Sequence, residues 1–409
     1  MRIAHVTDFY LPRLGGIEMQ VSDLAQRQLA RGEDAHVVTS SPGSGPCIRG
    51  TSVPVHRVTE GLAHPHALHP LAVREGIRLL ERLRPDVVHG HLGVASPLSF
   101  FLARAAARRG IPTIVTVHSM WAGVHPIMRT MDLLGGWSDL PIVWTAVSRA
   151  AAGPVAGVLP PTTTIHVLPN GIDQEPWRLA TPPAEPDGEL VLAAVMRLAR
   201  RKRPMALLKV VRSAQDELDR LGDPTRLRLL VAGDGPRQKA MQTYLRRHGL
   251  TDQVELLGRV DRGIVHDEVL GRAHAFLAPA DLESFGIAAL EARCAGIPVV
   301  AKSHSGVGEF VHHEAEGLLC DTDADMASAV VRLVREPGLR ARIAEHNRTA
   351  TCRVAWDSLL DATAAAYGLA AEQAGAAGGP GRHGGTGTGG AGRAGRARTE
   401  PAPPLAAGR

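Results

Sequence analysis

Short apolar runs rich in β-branched residues recur along this chain, each followed by a longer stretch with apolar positions at helical spacing. In the first half the runs are Ile3–Asp8, Ala35–Ser40, Asp86–Gly90, Thr113–Val117 and Trp144–Ser148. In the second half they are Leu190–Met196, Arg228–Ala232, Gln253–Leu257, Ala275–Ala278 and Ile297–Ala301. Strands that alternate with helices in this way predict parallel sheets covered on both faces, an α/β fold. The series breaks over Asn170–Asp187, which is rich in Pro, Asp and Glu. The pattern therefore predicts a Rossmann-like domain over 1–170, a linker over 171–187 and a second Rossmann-like domain over 188–355. A helix with Trp356 and Tyr367 follows over 356–373, and then a tail over 374–409. Ligands of such sheets bind beyond the carboxyl ends of the strands, so the two doubly wound domains are expected to face a central cleft.

Composition fits that size. A chain of 409 residues with 44% hydrophobic residues suits two cores. No apolar run reaches the ~18 residues of a membrane span, and Asp8 with the early glycine pair spoils a signal-peptide reading. Cys47, Cys294, Cys320 and Cys352 are scattered without paired spacing, as free thiols in a reducing cytoplasm would be. The net charge of +5 is mostly a property of the tail. Residues 374–409 hold five arginines against Glu400, which leaves +5 − 4 = +1 for the rest. That argues against a nucleic-acid partner. The tail itself is Gly-, Ala- and Pro-rich and is expected to be disordered.

The most informative stretch for function is Glu283-Ser284-Phe285-Gly286-Ile287-Ala-Ala-Leu-Glu291. Two carboxylates eight residues apart lie on one side of a helix, about two turns apart along its axis. A loop-to-helix turn at Ser284–Ile287 frees backbone N–H groups for an anion. A phosphate flanked by hydroxyls, as in a nucleotide-sugar, matches that layout. An ordinary amphipathic helix with acids in its first turn is the plain alternative.

The surrounding motifs resemble the retaining glycosyltransferases of family 4, which have the two-lobed GT-B fold. The resemblance runs over about residues 1–370. It is carried by Met1-Arg-Ile-Ala-His-Val-Thr-Asp-Phe-Tyr-Leu-Pro before Gly15-Gly16-Ile17-Glu18, and by Arg84-Pro-Asp-Val-Val-His89-Gly-His91. Thr113-Ile-Val-Thr-Val-His118, Val147-Ser148 and Val167-Leu-Pro-Asn170-Gly-Ile-Asp173 continue it. Val195-Met-Arg197-Leu-Ala-Arg-Arg-Lys202, Val231-Ala-Gly233-Asp-Gly235-Pro and Gly258-Arg259-Val260 complete the order before the paired glutamates.

The resemblance implies a hexosyl transfer from a nucleotide-diphosphate sugar, GDP-mannose or a UDP-sugar, to the hydroxyl of a sugar, lipid or small-molecule acceptor, with retention. It also implies no metal and no cofactor. Arg197 and Lys202 match the family's diphosphate-binding cations, although Arg201 takes the place of Lys202 if the loop is shifted. Gly15-Gly16 approaches the same diphosphate, and His118 lies beside the donor sugar. Glu283 meets the sugar hydroxyls, Glu291 the ribose, and Gly258-Arg259-Val260 the base. The helix around 356–373 corresponds to the one that crosses back to the first domain. Gly306-Val-Gly-Glu309 corresponds to a loop closing the second domain's share of the cleft, and at most one of His89 and His91 is expected to line the acceptor region.

Several features compete with this reading. An epimerase of the same architecture would carry a carboxylate at His118. A phosphorylase would need a pyridoxal lysine and a much longer chain, and a non-catalytic binder would be expected to lose Lys202 or Glu283. Asp321-Thr-Asp323-Ala-Asp325 contains a D-x-D pattern, but N-capping of the following helix explains it more simply. Gly233-Asp-Gly235 lacks the third glycine of a dinucleotide fingerprint. His64, His66 and His69 sit in a Pro-broken loop without zinc-site spacing. Arg74, Arg78 and Arg82 form a stripe that suits either a solvated face or peripheral contact with the inner membrane face.

Overall fold

The computed structural model describes residues 1–13, 15–43, 53–59 and 70–377. Two sheets account for the apolar runs. The first contains β1 (Arg2–Thr7), β2 (Asp34–Thr39), β3 (Val55–Arg57), β4 (Val87–Leu92), β5 (Thr113–Val117), β6 (Ile142–Ala146) and β7 (Ile165–Val167). Its strand order is β3-β2-β1-β4-β5-β6-β7. The second contains β8 (Glu189–Val195), β9 (Arg226–Ala232), β10 (Val254–Gly258), β11 (Ala275–Ala278), β12 (Val299–Lys302) and β13 (Gly317–Cys320), in the order β10-β9-β8-β11-β12-β13. Every pairing is parallel. The order reverses beside β1 and β8, where a doubly wound sheet opens its crevice.

All ten strands expected from the sequence are present, β5 and β11 with the expected bounds and the others with ends displaced by one or two residues. The three not expected, β3, β7 and β13, are short and lie at sheet edges. An edge strand needs no long run buried on both faces, so its sequence signal is weak. β6 ends at Ala146, short of Ser148, because Ser148 caps the helix Arg149–Ala156 by accepting from the Ala151 amide at 2.9 Å.

The last helix, Trp356–Ala377, packs on the first domain. Trp356, Leu359, Leu360, Tyr367 and Ala370 share one apolar cluster with Ile3, Val87, Ile114 and Val143. Arg31 of the helix Gly16–Ala30 binds Asp361 at 2.6 Å. The helix runs past Gln373 to Ala377, since Ala374 still buries its side chain and alanine favours continuation. The remaining tail, 378–409, lies outside the described residues, as do Cys47 and the trio His64, His66 and His69. Cys294, Cys320 and Cys352 are buried free thiols. Among the described residues no helix is long and apolar enough to cross a membrane.

Candidate active site

The loop after β8 carries the two expected cations. Its backbone sits directly on the turn after β9: the Leu198 amide donates to Asp234 O at 2.7 Å. A Cβ on Gly233 would stand 1.9 Å from Met196 O, and one on Gly235 2.7 Å from Leu198 O; both glycines have positive φ. The Gly-Asp-Gly pattern is thus explained by close backbone packing behind the cationic loop. Arg197 projects as an exposed side chain, and Arg200–Lys202 form one 3-10 turn. Within that turn Lys202 is paired with Glu283, whereas Arg201 is exposed. Arg203, at φ 55°, turns the other way and donates bidentately to Asp323 at 2.8 Å for each nitrogen. Lys202 is therefore the cation that faces the acidic segment.

Glu283 does not lie on the helix with Glu291, contrary to the sequence expectation. The helix is only Ile287–Cys294, and Gly286 at φ 96° breaks the helical register before it. A Cβ there would meet Val307 at 2.8 Å, so both conformation and space require glycine. Among the described residues no side chain caps this helix, which leaves the first-turn amides available to a ligand. Phe285 is buried beneath the turn and Ser284 O accepts from Ser148 Oγ of the first domain at 2.5 Å. Glu291 is buried and bonded to Arg262 at 2.9 Å, and burial pushes its carboxyl up to about 7 against the pull of Arg262. Arg262 also covers the Trp177 ring. Gly258 O accepts the Gly233 amide at 2.6 Å, Arg259 is exposed and Val260 half-buried.

The first domain supplies the facing wall. Gly15 precedes the helix Gly16–Ala30, and a Cβ there would strike Glu18 at 2.3 Å. A Cβ on Gly16 would come within 3.2 Å of Ile287 Cδ1, which places the glycine turn across the cleft from the open helix start. Glu309 reaches over to the first domain, accepting from the Arg149 amide at 2.6 Å. His118, just beyond β5, bonds through Nε2 to His91 Nδ1 at 3.0 Å, and burial lowers its imidazole to about 4. His89 and His91 are both buried and line one small cavity together with Thr116 and His118. β4 is buried on both faces, and each ring is enclosed among other side chains.

The other acidic and histidine clusters are already engaged. Asp325 and Thr322 form a capping box, Asp323 binds Arg203 and Lys302, and Asp321 accepts from Ser303. Ring nitrogens of His5, His89 and His91 come within 4.8 Å of one another, with hydrogen-bond partners occupying both nitrogens of each ring. Sequence reasoning assigned no role to Arg262 or Ser148. Ser148 could have been found as the N-cap of a predicted helix, but nothing in the local sequence marks Arg262 as the partner of Glu291.

Two family models match the chain: "Glycosyltransferase Family 4" over residues 14–176 and "Glycosyl transferases group 1" over 177–350. The chain is 29% identical over 422 residues to glycogen synthase of Mycobacterium tuberculosis, covering 90% of this chain and 94% of that protein. It is 25% identical over 382 residues to the GDP-mannose-dependent alpha-(1-6)-phosphatidylinositol monomannoside mannosyltransferase of the same species, covering 88% and 96%. Among solved structures, Anabaena HepE in complex with UDP and glucose superimposes with a TM-score of 0.70 at 18% identity, covering 89% and 98%. Sucrose-phosphate synthase of Thermosynechococcus elongatus gives 0.69 at 18%, covering 90% and 98%. With paired parallel-sheet domains, a cleft between them and both family models in order along the chain, this protein belongs to the family 4 glycosyltransferases and has the GT-B fold.

Proposed function

We propose that the chain transfers a hexosyl group from a nucleotide-diphosphate sugar to an acceptor hydroxyl with retention of configuration, without metal or cofactor. The pairing of Lys202 with Glu283 beside an uncapped helix start carries this reading. Such a site offers a cation to the diphosphate and a carboxylate to the hydroxyls of the sugar attached to it. Arg197 is exposed on the same loop and supplies a second cation to the leaving group. Charge grows on the diphosphate as the glycosidic bond breaks, so fixed cations and amides stabilise the transition state more than the bound donor. The departing phosphate oxygen then takes the acceptor's proton on the face from which it leaves, which gives retention.

Glu291 binds the ribose in this scheme, Gly258-Arg259-Val260 the base, and Gly15-Gly16 the diphosphate from the opposite wall. The donor is GDP-mannose or a UDP-sugar, and the acceptor a sugar, lipid or small-molecule hydroxyl. Arg82 and Arg78 both pair with Glu75 at 3.0 and 3.8 Å, which offsets only part of the positive charge on that helix face. A thermal-shift screen against UDP, GDP, ADP and TDP sugars identifies the donor, because a ligand bound only to the native state raises Tm. Turnover of the donor that shifts Tm should survive saturating chelator. Loss of turnover with recovery in manganese would sink the metal-free clamp.

A further inference from the structure

Beneath His118 the first domain and the last helix together enclose a continuous hydrogen-bonded chain of side chains, and its direction follows from the partners at its far end. Thr145 Oγ1 donates to Val115 O at 3.1 Å, which uses its only proton. The 2.6 Å contact between Thr116 and Thr145 must then be donated by Thr116. Thr116 accepts in turn from His89 Nε2–H at 2.7 Å, so His89 Nδ1 holds a lone pair and accepts from the Tyr367 hydroxyl at 3.0 Å. The Tyr367 oxygen is left to accept from the Gln28 amide nitrogen at 3.1 Å, and this orients Gln28 with Oε1 toward His5. His5 Nε2–H donates to that oxygen at 2.6 Å.

The same logic then runs along the imidazoles. His5 Nδ1 accepts from His91 Nε2–H, and His91 Nδ1 accepts from His118 Nε2–H, each at 3.0 Å. The scheme requires every ring to be neutral, since a doubly protonated ring would put two protons into one of these bonds. Burial favours that state, lowering all four imidazoles, His5 to about 4. One nitrogen is left over. His118 Nδ1 has no partner among the described residues and is not among the sealed, unsatisfied side-chain atoms.

We propose that this chain fixes the tautomer of His118 as Nε2–H, so that Nδ1 presents a lone pair at the cleft. Tyr367, Gln28, His5, His89 and His91 act as positioning residues. A lone pair accepts a hydrogen bond from a hydroxyl and repels a phosphate oxygen, so His118 selects a sugar hydroxyl in preference to the diphosphate. This last step rests on the nucleotide-sugar reading; the tautomer assignment does not. The last helix thereby orders a proton at the cleft, since Tyr367 sets the amide orientation on which the imidazole sequence depends.

Long-range 1H–15N correlation on full-length, 15N-histidine-labelled protein without ligand reads the tautomer directly, with assignment by single His→Gln variants. The expected spectrum has neutral Nε2–H forms at His5, His89, His91 and His118 at neutral pH. Tyr367→Phe removes the hydroxyl that orients Gln28, and mixed tautomers should then appear at His5, His91 and His118 with the amide spectrum otherwise native. An Nδ1–H form of His118 in the wild-type protein overturns the proposal, whether or not the variant folds. So does an unchanged spectrum in folded Tyr367→Phe. Stoichiometric zinc that displaces the His5 and His91 signals would overturn it as well. Because no sugar is present, failure to find a donor leaves this result standing, and an overturned tautomer leaves the transferase reading standing.

Discussion

Lys202 and Arg201 are adjacent cations with different surroundings: the first meets Glu283, and the second points to solvent. If Lys202 stabilises charge on the departing diphosphate, Lys202→Ala should lower turnover roughly 100-fold, as loss of one preorganised donor does elsewhere. Arg201→Ala should stay within a few-fold of wild type in the same assay. Inactive Arg201→Ala beside active Lys202→Ala would reverse the assignment. Glu291 makes a separate prediction about pH. Its carboxyl titrates near 4.5 when unfolded and at about 7 when buried in the fold. Between those values the unfolded chain has released the proton that the folded chain keeps. Stability is therefore greatest below about 4.5 and falls as pH rises to about 7. The full shift corresponds to about 3 kcal/mol. In denaturant titrations Glu291→Gln should gain on wild type progressively across that window, and parallel curves would show that Arg262 fully compensates the buried charge.

At the scale of elements, the turn Glu283–Gly286 is held from two sides. Gly306, in the 3-10 turn Gly306–Glu309, lies so close that a Cβ on it would stand 2.2 Å from Ser284 O. Backbone cannot yield as a flexible side chain can. Gly306→Ala is expected to cost about 2 kcal/mol by overpacking and to weaken donor binding by displacing Glu283. Gly338 is the control, because a Cβ there meets nothing within 4 Å. Gly338→Ala should change stability by less than about 0.5 kcal/mol. Equal Tm values for the two variants would mean that the turn relaxes freely. The same element shows the limit of periodicity as a guide. The spacing of Glu283 and Glu291 matches a helix, and the chain is helical only after Gly286, because one left-handed residue is enough to reset the register. Ten strands were legible as apolar runs, the edge strand β10 included, whereas β3, β7 and β13 combine an edge position with only three or four residues.

For the whole molecule, the helix Trp356–Ala377 ties the end of the chain to the first domain. Trp356 is buried against Leu168 and Ile3, Ile172 pairs with Ala355, and Tyr367 bonds to His89 and Gln28. Truncation before Trp356 should lower Tm by many degrees and expose apolar surface on the first domain. Truncation after Ala377 should leave both Tm and donor turnover unchanged while moving the net charge from +5 to +1, since 378–409 holds the same five arginines and Glu400. Damage from the shorter deletion equal to that from the longer would place a needed element in the tail.

Local pattern alone specified two parallel α/β domains and the residue types gathered at the candidate site. Strand runs, turn glycines and charged loop residues are local properties that a one-dimensional pattern records. Tertiary structure decided which of those residues meet. Lys202 was separated from Arg201 by the direction of one turn, and Glu291 gained Arg262 from another segment. His89 and His91 of β4, weighed in the sequence for the acceptor region, became with His5 of β1 links in one buried chain ending at His118. Each of these depends on contacts between residues distant in sequence, whose energies come from burial and geometry that no local pattern contains.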